Sequence, residues 1–156
     1  ILAEDTDRLR NAKTPPLLTP HPGEMARLME SDTATVNRDR VGVTRNFARE
    51  YRCHVVLKGA RSVIATSDGR VYINPTGNAG MASGGMGDVL AGILAGMLAQ
   101  GLGPEEALKL GVFLHGYVGD QVASSHGEIG LIASDLVEGL PQGIQQLKGN
   151  RYPLTR

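Results

Sequence analysis

Short apolar runs with the composition of buried strands recur along the first half of the chain. They are rich in valine, isoleucine and leucine and are bounded by proline, glycine or polar residues. The runs are residues 17–19, 54–57, 62–66 and 71–73. The last two flank Ser67-Asp68-Gly69, a turn sequence that predicts a β-hairpin.

Segments with helical spacing of apolar residues are interleaved with these strands. The pattern predicts a helix over 23–30 behind the acidic first turn at Glu24, and another over 37–51 with Asn37 as its N-cap and its arginines facing water. Further helices are predicted over 86–100, from Pro104 to about Ser124, over 133–140, and from Pro141 onward. Strands that alternate with helices predict an α/β fold with a sheet covered on both faces.

The segment 86–100 differs from the other predicted helices in its composition. Apart from Asp88 and Gln100, its large residues are apolar, and most of the remaining positions are alanine or glycine. We therefore expect nearly its whole circumference to be buried against close neighbours.

Length and charge narrow the class of protein. The chain has 156 residues and a formal net charge of +0. We interpret 1–156 as a single domain. The neutral balance gives no electrostatic basis for binding nucleic acid or a membrane surface, so we expect small molecules or like subunits as partners. The chain begins at Ile1 without a methionine, which predicts a fragment of a longer domain.

The single cysteine, Cys53, precedes an apolar strand, and we expect it to be a buried, reduced thiol. The chain has no apolar stretch long enough to cross a bilayer and does not begin with a signal-peptide pattern. We therefore expect a soluble, cytoplasmic protein.

A glycine-rich segment, residues 74–88, lies between the last predicted strand and the apolar helix. Five glycines occur from Gly77 to Gly87, so the backbone amides can turn toward a ligand, and the following helix adds a positive dipole end. Such a loop suits a transferring phosphoryl group, and Asp88 in the first helical turn could accept a proton from an attacking hydroxyl. The alternative is that the glycines only permit close packing and that Asp88 is an ordinary first-turn carboxylate.

Other polar residues have structural interpretations from the sequence alone. Glu24 suits a helix-start cap with a solvated His21 beside it, and residues 58–62 suit a turn between strands. His115 is expected to be a satisfied core histidine and Asp120 a structural group.

Ordered motifs across most of the chain resemble one known family. They are residues 18–28, 58–62, 76–92 and 114–120. Together they are similar to the ADP- or ATP-dependent NAD(P)H-hydrate dehydratases of the ribokinase-like superfamily. The resemblance implies a three-layer α/β/α fold with a mostly parallel central sheet, here lacking its N-terminal part.

The resemblance also implies an activity. A nucleotide phosphorylates the ring hydroxyl of the S epimer of hydrated NADH or NADPH, and elimination of phosphate restores the reduced cofactor. In such an enzyme Asp88 would be the base on that hydroxyl, and His21 would contact the hydrated cofactor. The implied anion hole is Gly84, Gly85, Met86 and Gly87, and the implied nucleotide site is Lys58, Gly59, Ala60, Arg61, Ser62 and Gly87. Met86 stands where relatives more often have threonine.

The implied co-substrate is ADP or ATP, with Mg²⁺ arriving on the nucleotide, because no residue cluster has the spacing of a tight metal site. Family analogy implies a homo-oligomer, a tetramer. Two alternatives remain from the sequence: a ribokinase-like kinase acting on a vitamin precursor, and a nucleotide-binding remnant without turnover. The long lead-in 74–83 favours the dehydratase. The roles of Glu24, His115 and Asp120 stay open.

Overall fold

The computed structural model describes residues 2–149, which form two compact units. Unit 1 holds the described residues up to Pro75 together with Leu102–Lys109. Unit 2 holds Thr76–Gly101 and the described residues from Leu110 onward.

Unit 1 contains all the strands of the described chain. Its elements are a 3₁₀ turn at Leu2–Glu4, α1 (Asp7–Arg10), β1 (Leu17–Leu18), α2 (Pro22–Leu28), α3 (Thr33–Arg38), α4 (Arg40–Glu50), β2 (His54–Leu57), β3 (Val63–Ala65) and β4 (Val71–Ile73). Unit 2 is helical. It contains a 3₁₀ turn at Ala79–Met81, α5 (Met86–Ala99), most of α6 (Pro104–His126) and α7 (Ala133–Gly149).

The sheet has the order β1-β2-β3-β4. β1 is parallel to β2, with Leu17 opposite His54, whereas the β2–β3 and β3–β4 pairs are antiparallel. The predicted hairpin is confirmed, but the expectation of a mostly parallel sheet is wrong for the described residues. The reason is connection length: 58–62 and 66–70 are too short for the crossover of roughly a dozen residues that parallel neighbours need.

The core of unit 1 lies where the helices pack on this sheet. α4 contacts β2 and β3, and all residues of these two strands are buried. Met25 of α2, Val36 of α3 and Phe47 of α4 belong to the same core cluster. Cys53, immediately before β2, is a fully buried free cysteine, as the sequence predicted.

The predicted helix 37–51 is two helices, and Asn37 is not a cap. Asp32 caps α3 by accepting the Thr35 N–H at 2.7 Å, and Asp39 caps α4 by accepting the Gly42 N–H at 2.8 Å. Asp39 has a non-helical backbone (φ −141°, ψ 70°), which breaks the helix there.

The arginine face of α4 is solvated only in part. Arg40 is half-buried and donates to the carbonyls of Leu57 and Lys58, at 3.2 and 3.3 Å. Arg45 and Arg49 are exposed, as expected. The prediction therefore fails at Arg40, because its guanidinium satisfies backbone carbonyls at the end of β2.

α5 buries one face rather than its whole circumference. Met86, Leu90 and Leu94 are buried, whereas the opposite face is exposed. After Asp88 in the first turn, that exposed face consists of small residues, Ala91, Gly92, Ala95, Gly96 and Ala99. Alanine and glycine carry little apolar surface, so leaving them exposed costs little.

The last predicted pair of helices is a single helix, α7, which continues through Pro141. A proline at this position deprives the Val137 carbonyl of its helical donor. Both Pro141 and Val137 are exposed, so water can replace that donor. Among residues 2–149, no helix combines the length and hydropathy that crossing a membrane requires.

Candidate functional site

The start of α5 presents backbone amides without a side-chain cap. Gly85 occupies the N-cap position in the left-handed region, with φ 86°, and as a glycine it has no side chain that could cap the helix. The carbonyl of Gly85 accepts the N–H groups of Asp88 and Val89, at 3.0 and 3.1 Å. The amides that precede them, at Met86 and Gly87, lie at the positive end of the helix dipole, where an anion is stabilised.

Asp88 lies in the first turn of α5 and is exposed. Its carboxylate is therefore accessible to a reacting group. Met86, two residues earlier, has its side chain in the core of unit 2 with Leu114 and Val118. Only the backbone of Met86 can then serve an anion, because its side chain is buried in that core.

The lead-in to this loop is held by Asp120 of α6. Asp120 Oδ2 accepts the Gly77 N–H at 2.9 Å, and its Oδ1 accepts the Asn78 side-chain amide at 3.0 Å. Asn78 Oδ1 in turn accepts the Gly80 N–H at 3.0 Å. One carboxylate thus fixes the backbone at both Gly77 and Gly80.

α6 also contacts both ends of the loop. The Thr76 hydroxyl donates to the Phe113 carbonyl at 3.0 Å, and His115 Nε2 lies 3.0 Å from the Met86 carbonyl. His115 is half-buried, which agrees with a satisfied histidine. A Cβ atom added at Gly116 would lie only 2.7 Å from the Thr76 carbonyl carbon, so the loop backbone rests directly on this helix.

In unit 1, His21 and Glu24 form a capping box at the start of α2. His21 Nδ1 accepts the N–H groups of Gly23 and Glu24, at 3.1 and 3.2 Å, and Glu24 Oε2 accepts the His21 N–H at 2.7 Å. Lys58 Nζ lies 3.5 Å from Glu24 Oε2. Partial burial opposes the ionised form of Glu24, but the His21 N–H and the charge of Lys58 outweigh it and lower the pKa.

The segment that follows β2 is a tight turn. Gly59 has φ 139°, and Arg61, at φ 56°, donates to the Pro75 carbonyl at 2.8 Å. The Ser62 hydroxyl donates to the Gly59 carbonyl at 3.1 Å. Ala60 is exposed. Arg61 is therefore tied to backbone, whereas Lys58 is held by Glu24.

The residues predicted from the sequence thus fall into two local sets. His21 and the segment 58–62 belong to unit 1, and the segment 84–88 belongs to unit 2. Within residues 2–149 there is no group of three or more histidine, cysteine or carboxylate side chains that could hold a metal ion.

The sequence predicted a structural role for Asp120, but it did not predict the contact of this residue with the loop. Asp120 is separated from Gly77 by 43 positions, and no helical or strand spacing relates the two. The adjacent pair Gly119-Asp120 was the available signal, since glycine there admits a close neighbour.

Solved structures with a similar fold include an NAD(P)H-hydrate dehydratase and a ribokinase-like superfamily protein. The ADP/ATP-dependent NAD(P)H-hydrate dehydratase of Bacillus subtilis, co-crystallised with ATP/Mg²⁺, matches with a TM-score of 0.82 and 36% identity over 85% of this chain and 48% of that chain. A ribokinase-like superfamily protein of Enterococcus faecalis matches with a TM-score of 0.70 and 30% identity, over 83% of this chain and 44% of its own. The ribokinase-like α/β fold is therefore confirmed.

Curated relatives carry related names. The bifunctional NAD(P)H-hydrate repair enzyme Nnr of Moorella thermoacetica is 50% identical over 147 residues, 94% of this chain but 28% of that protein. The ADP-dependent (S)-NAD(P)H-hydrate dehydratase of Neisseria meningitidis is 42% identical over 121 residues, 77% of this chain and 41% of that protein. The chain thus spans less than half the length of these relatives.

A family model described as NAD(P)H-hydrate dehydratase matches residues 1–142. This match includes the capping box of α2, the turn after β2, the glycine-rich loop and Asp120. The chain belongs to the NAD(P)H-hydrate dehydratase family.

Proposed function

We propose that this protein carries out the nucleotide-dependent dehydration of the S epimer of hydrated NADH and NADPH. The observation that carries the proposal is the exposed Asp88 carboxylate beside the uncapped, glycine-bounded start of α5, in a chain of this family. The nucleotide gives its terminal phosphoryl group to the ring hydroxyl. Loss of that phosphate then restores the reduced nicotinamide, so ADP yields AMP and inorganic phosphate.

Asp88 is proposed as the general base of the first step. Its carboxylate accepts the proton of the ring hydroxyl as the hydroxyl oxygen attacks phosphorus. The backbone amides of Gly84, Gly85, Met86 and Gly87 stabilise the charge on the transferred phosphoryl group. These two roles require an accessible carboxylate and backbone amides that no side chain caps. The start of α5 has both, in Asp88 and in the uncapped first turn.

The nucleotide is proposed to be ADP or ATP, accompanied by Mg²⁺ on its phosphates. The residues proposed for this site are Lys58, Gly59, Ala60, Arg61, Ser62 and Gly87. The two cations of this set are oriented by protein groups, Lys58 by Glu24 and Arg61 by the Pro75 carbonyl. Oriented cations suit phosphate oxygens, because less side-chain freedom is lost on binding. His21 is proposed to contact the hydrated nicotinamide cofactor.

The test is a turnover assay with a matched variant pair. The protein is incubated with hydrated NADH, Mg²⁺ and either ADP or ATP, and the absorbance of the regenerated reduced nicotinamide is followed. Asp88→Asn is expected to reduce turnover by roughly two to four orders of magnitude with nucleotide affinity nearly unchanged. Glu138→Gln, an exposed carboxylate change on α7, is the control and should behave as the wild type.

Two outcomes contradict the proposed activity, and a third contradicts the proposed role of Asp88. Nucleotide binding without any recovery of NADH would indicate a binding remnant, and phosphorylation of a vitamin-precursor alcohol instead of the hydrate would indicate a kinase. Full activity of Asp88→Asn would show that another group is the base.

A further inference from the structure

Asp120 connects α6 to the glycine-rich loop although it lies outside the residues assigned to the reaction. We propose that Asp120 is a positioning residue, which fixes the conformation of the segment 76–88 and thereby the placement of Asp88 and the amides before it. This inference rests on the proposed function, because the reaction gives the loop its task. Asp120 and the segment 76–88 both belong to unit 2.

The first support is the chemistry of the contact. The two carboxylate oxygens of Asp120 accept from two different donors, the Gly77 N–H at 2.9 Å and the Asn78 side-chain amide at 3.0 Å. An ionised carboxylate only accepts hydrogen bonds, so it suits a site where both neighbours are donors. Hydrogen bonds to a charged acceptor are also stronger than those between neutral groups.

The second support is that the restraint continues along the loop. The Asn78 amide, turned by Asp120, directs its oxygen to the Gly80 N–H at 3.0 Å. Gly77 itself has φ 103°, a conformation that L side chains rarely adopt. Glycine allows this conformation at residue 77 but does not select it. The hydrogen bonds to the Asp120 carboxylate stabilise it.

The third support is the surface of α6 around Asp120. A Cβ atom at Gly116 would lie 2.7 Å from the carbonyl carbon and 2.8 Å from the carbonyl oxygen of Thr76, and one at Gly119 would overlap the side chain of Met81. The loop therefore packs closely against α6 at Gly116 and Gly119, next to Asp120. Close backbone approach of this kind is a recurrent reason for glycine within a helix.

The fourth support is the far end of the loop. His115 Nε2 is 3.0 Å from the carbonyl of Met86, the first residue of α5, and Asp88 follows two residues later. One helix therefore holds the loop at Thr76, Gly77 and Asn78 and again at Met86. A change in the backbone at residues 77 and 78 would therefore alter how the loop enters α5, and with it the positions of the amides at the start of that helix.

The test exchanges the two side chains. Asp120→Asn alone places an amide NH₂ group against the Asn78 NH₂ group, and Asn78→Asp alone places two carboxylates together. In the double variant Asn78→Asp/Asp120→Asn, the new amide can donate to the new carboxylate and still accept the Gly77 N–H, while the carboxylate accepts the Gly80 N–H. All three hydrogen bonds are then possible again, and only the donor and acceptor between positions 78 and 120 have changed places.

The measurements are kcat for restoration of NADH and amide hydrogen exchange in peptides from residues 76–88. Each single variant is expected to lose on the order of 10- to 100-fold in kcat, because small misplacements of reacting groups have effects of this size. Each should also exchange faster in this segment. The double variant should recover kcat to within about threefold of the wild type and regain protection, a non-additive result expected of directly interacting residues. Glu138→Gln is the exposed carboxylate-to-amide control.

Two results would overturn the inference. One is unchanged kcat and exchange in Asp120→Asn; the other is a folded double variant that stays as impaired as the singles. If the wild-type protein does not restore NADH at all, the proposed function fails, and the exchange pattern of the four proteins still decides whether Asp120 fixes the loop.

Discussion

Glu24 serves two partners at the start of α2, and the two contributions can be separated by mutation. Glu24→Gln keeps an oxygen for the His21 N–H but removes the charge near Lys58, whereas Glu24→Ala removes both. Glu24→Ala is expected to lower the free energy of unfolding by about 1 kcal/mol, the usual effect of losing a cap. Glu24→Gln should lose less than about 0.5 kcal/mol, because exposed ion pairs contribute little. Urea denaturation measures both values, and equal losses would contradict this division.

The Glu24 carboxylate also makes the stability of the protein depend on pH, in a direction set by its lowered pKa. The pKa of Glu24 is lowered in the folded protein from its ordinary 4.5, since the His21 N–H and Lys58 outweigh the effect of burial. The unfolded chain then takes up a proton first as the pH falls, so the stabilisation by the ionised group is present above about pH 4.5 and is lost below it. The stability difference between the wild type and Glu24→Gln should therefore shrink as the pH falls below that value. A difference that grows on acidification would reverse our assignment.

Part of this arrangement was visible in the sequence. The helix start, with Glu24 as a capping group and His21 beside it, was predicted from the local pattern. The contact with Lys58 was not, because it depends on how the end of β2 lies against α2, and local spacing contains no information on that.

At the scale of elements, the glycines of α5 and α6 are expected to respond in opposite ways to the same change. Gly116→Ala forces a Cβ atom into the backbone of Thr76, at 2.7 Å from its carbonyl carbon, so the loop or the helix must shift. Gly96→Ala meets nothing within 4 Å. We expect Gly96→Ala to stabilise the protein by about 0.5 to 1 kcal/mol through helix propensity. Gly116→Ala should destabilise it by roughly 1 to 3 kcal/mol, as overpacking does.

Thermal unfolding of the two alanine variants tests this pair directly. A Gly116→Ala protein as stable as the wild type would show that the loop does not rest on α6. Loss of stability in Gly96→Ala would show that the exposed face of α5 has a partner.

Elements defined by strong periodicity were predicted well, whereas the break before α4 and the continuity of α7 were not. The strands and α5 follow clear apolar patterns, so their positions were confirmed within a few residues. The division of 37–51 was missed because Asp39 was taken as an interior residue, although aspartate is a preferred N-cap. The continuity of α7 was missed because proline usually ends a helix, and its tolerance here depends on exposure.

At the scale of the whole molecule, sheet order and the pairing of distant residues were beyond sequence reasoning. The hairpin of β3 and β4 was predicted because its turn is local. The parallel pairing of Leu17 with His54 joins distant segments, and the contact of Asp120 with Gly77 spans 43 positions. The motifs indicated the family, but they did not predict that Asp120 contacts the loop.

Cys53 offers a reporter for the opening of unit 1. The residue is fully buried, and burial raises the pKa of its thiol to about 12. At pH 8 the folded protein should therefore not react with a thiol reagent such as dithionitrobenzoate, and one thiol should react once guanidinium has unfolded the chain. Rapid labelling under native conditions would contradict the observed burial. Above about pH 9 the unfolded thiol ionises first, so stability should decline with rising pH.

The capping contact of His21 also restricts what its imidazole can do for a bound molecule. A neutral imidazole has one nitrogen lone pair and one N–H group. At His21 the lone pair of Nδ1 is occupied by the Gly23 and Glu24 amides, which assigns the proton to Nε2. The side chain is about half exposed, at 51%. A molecule bound beside His21 would therefore face the Nε2–H group, which donates a hydrogen bond and cannot accept a proton. A general base for such a molecule would have to be another group, such as a carboxylate.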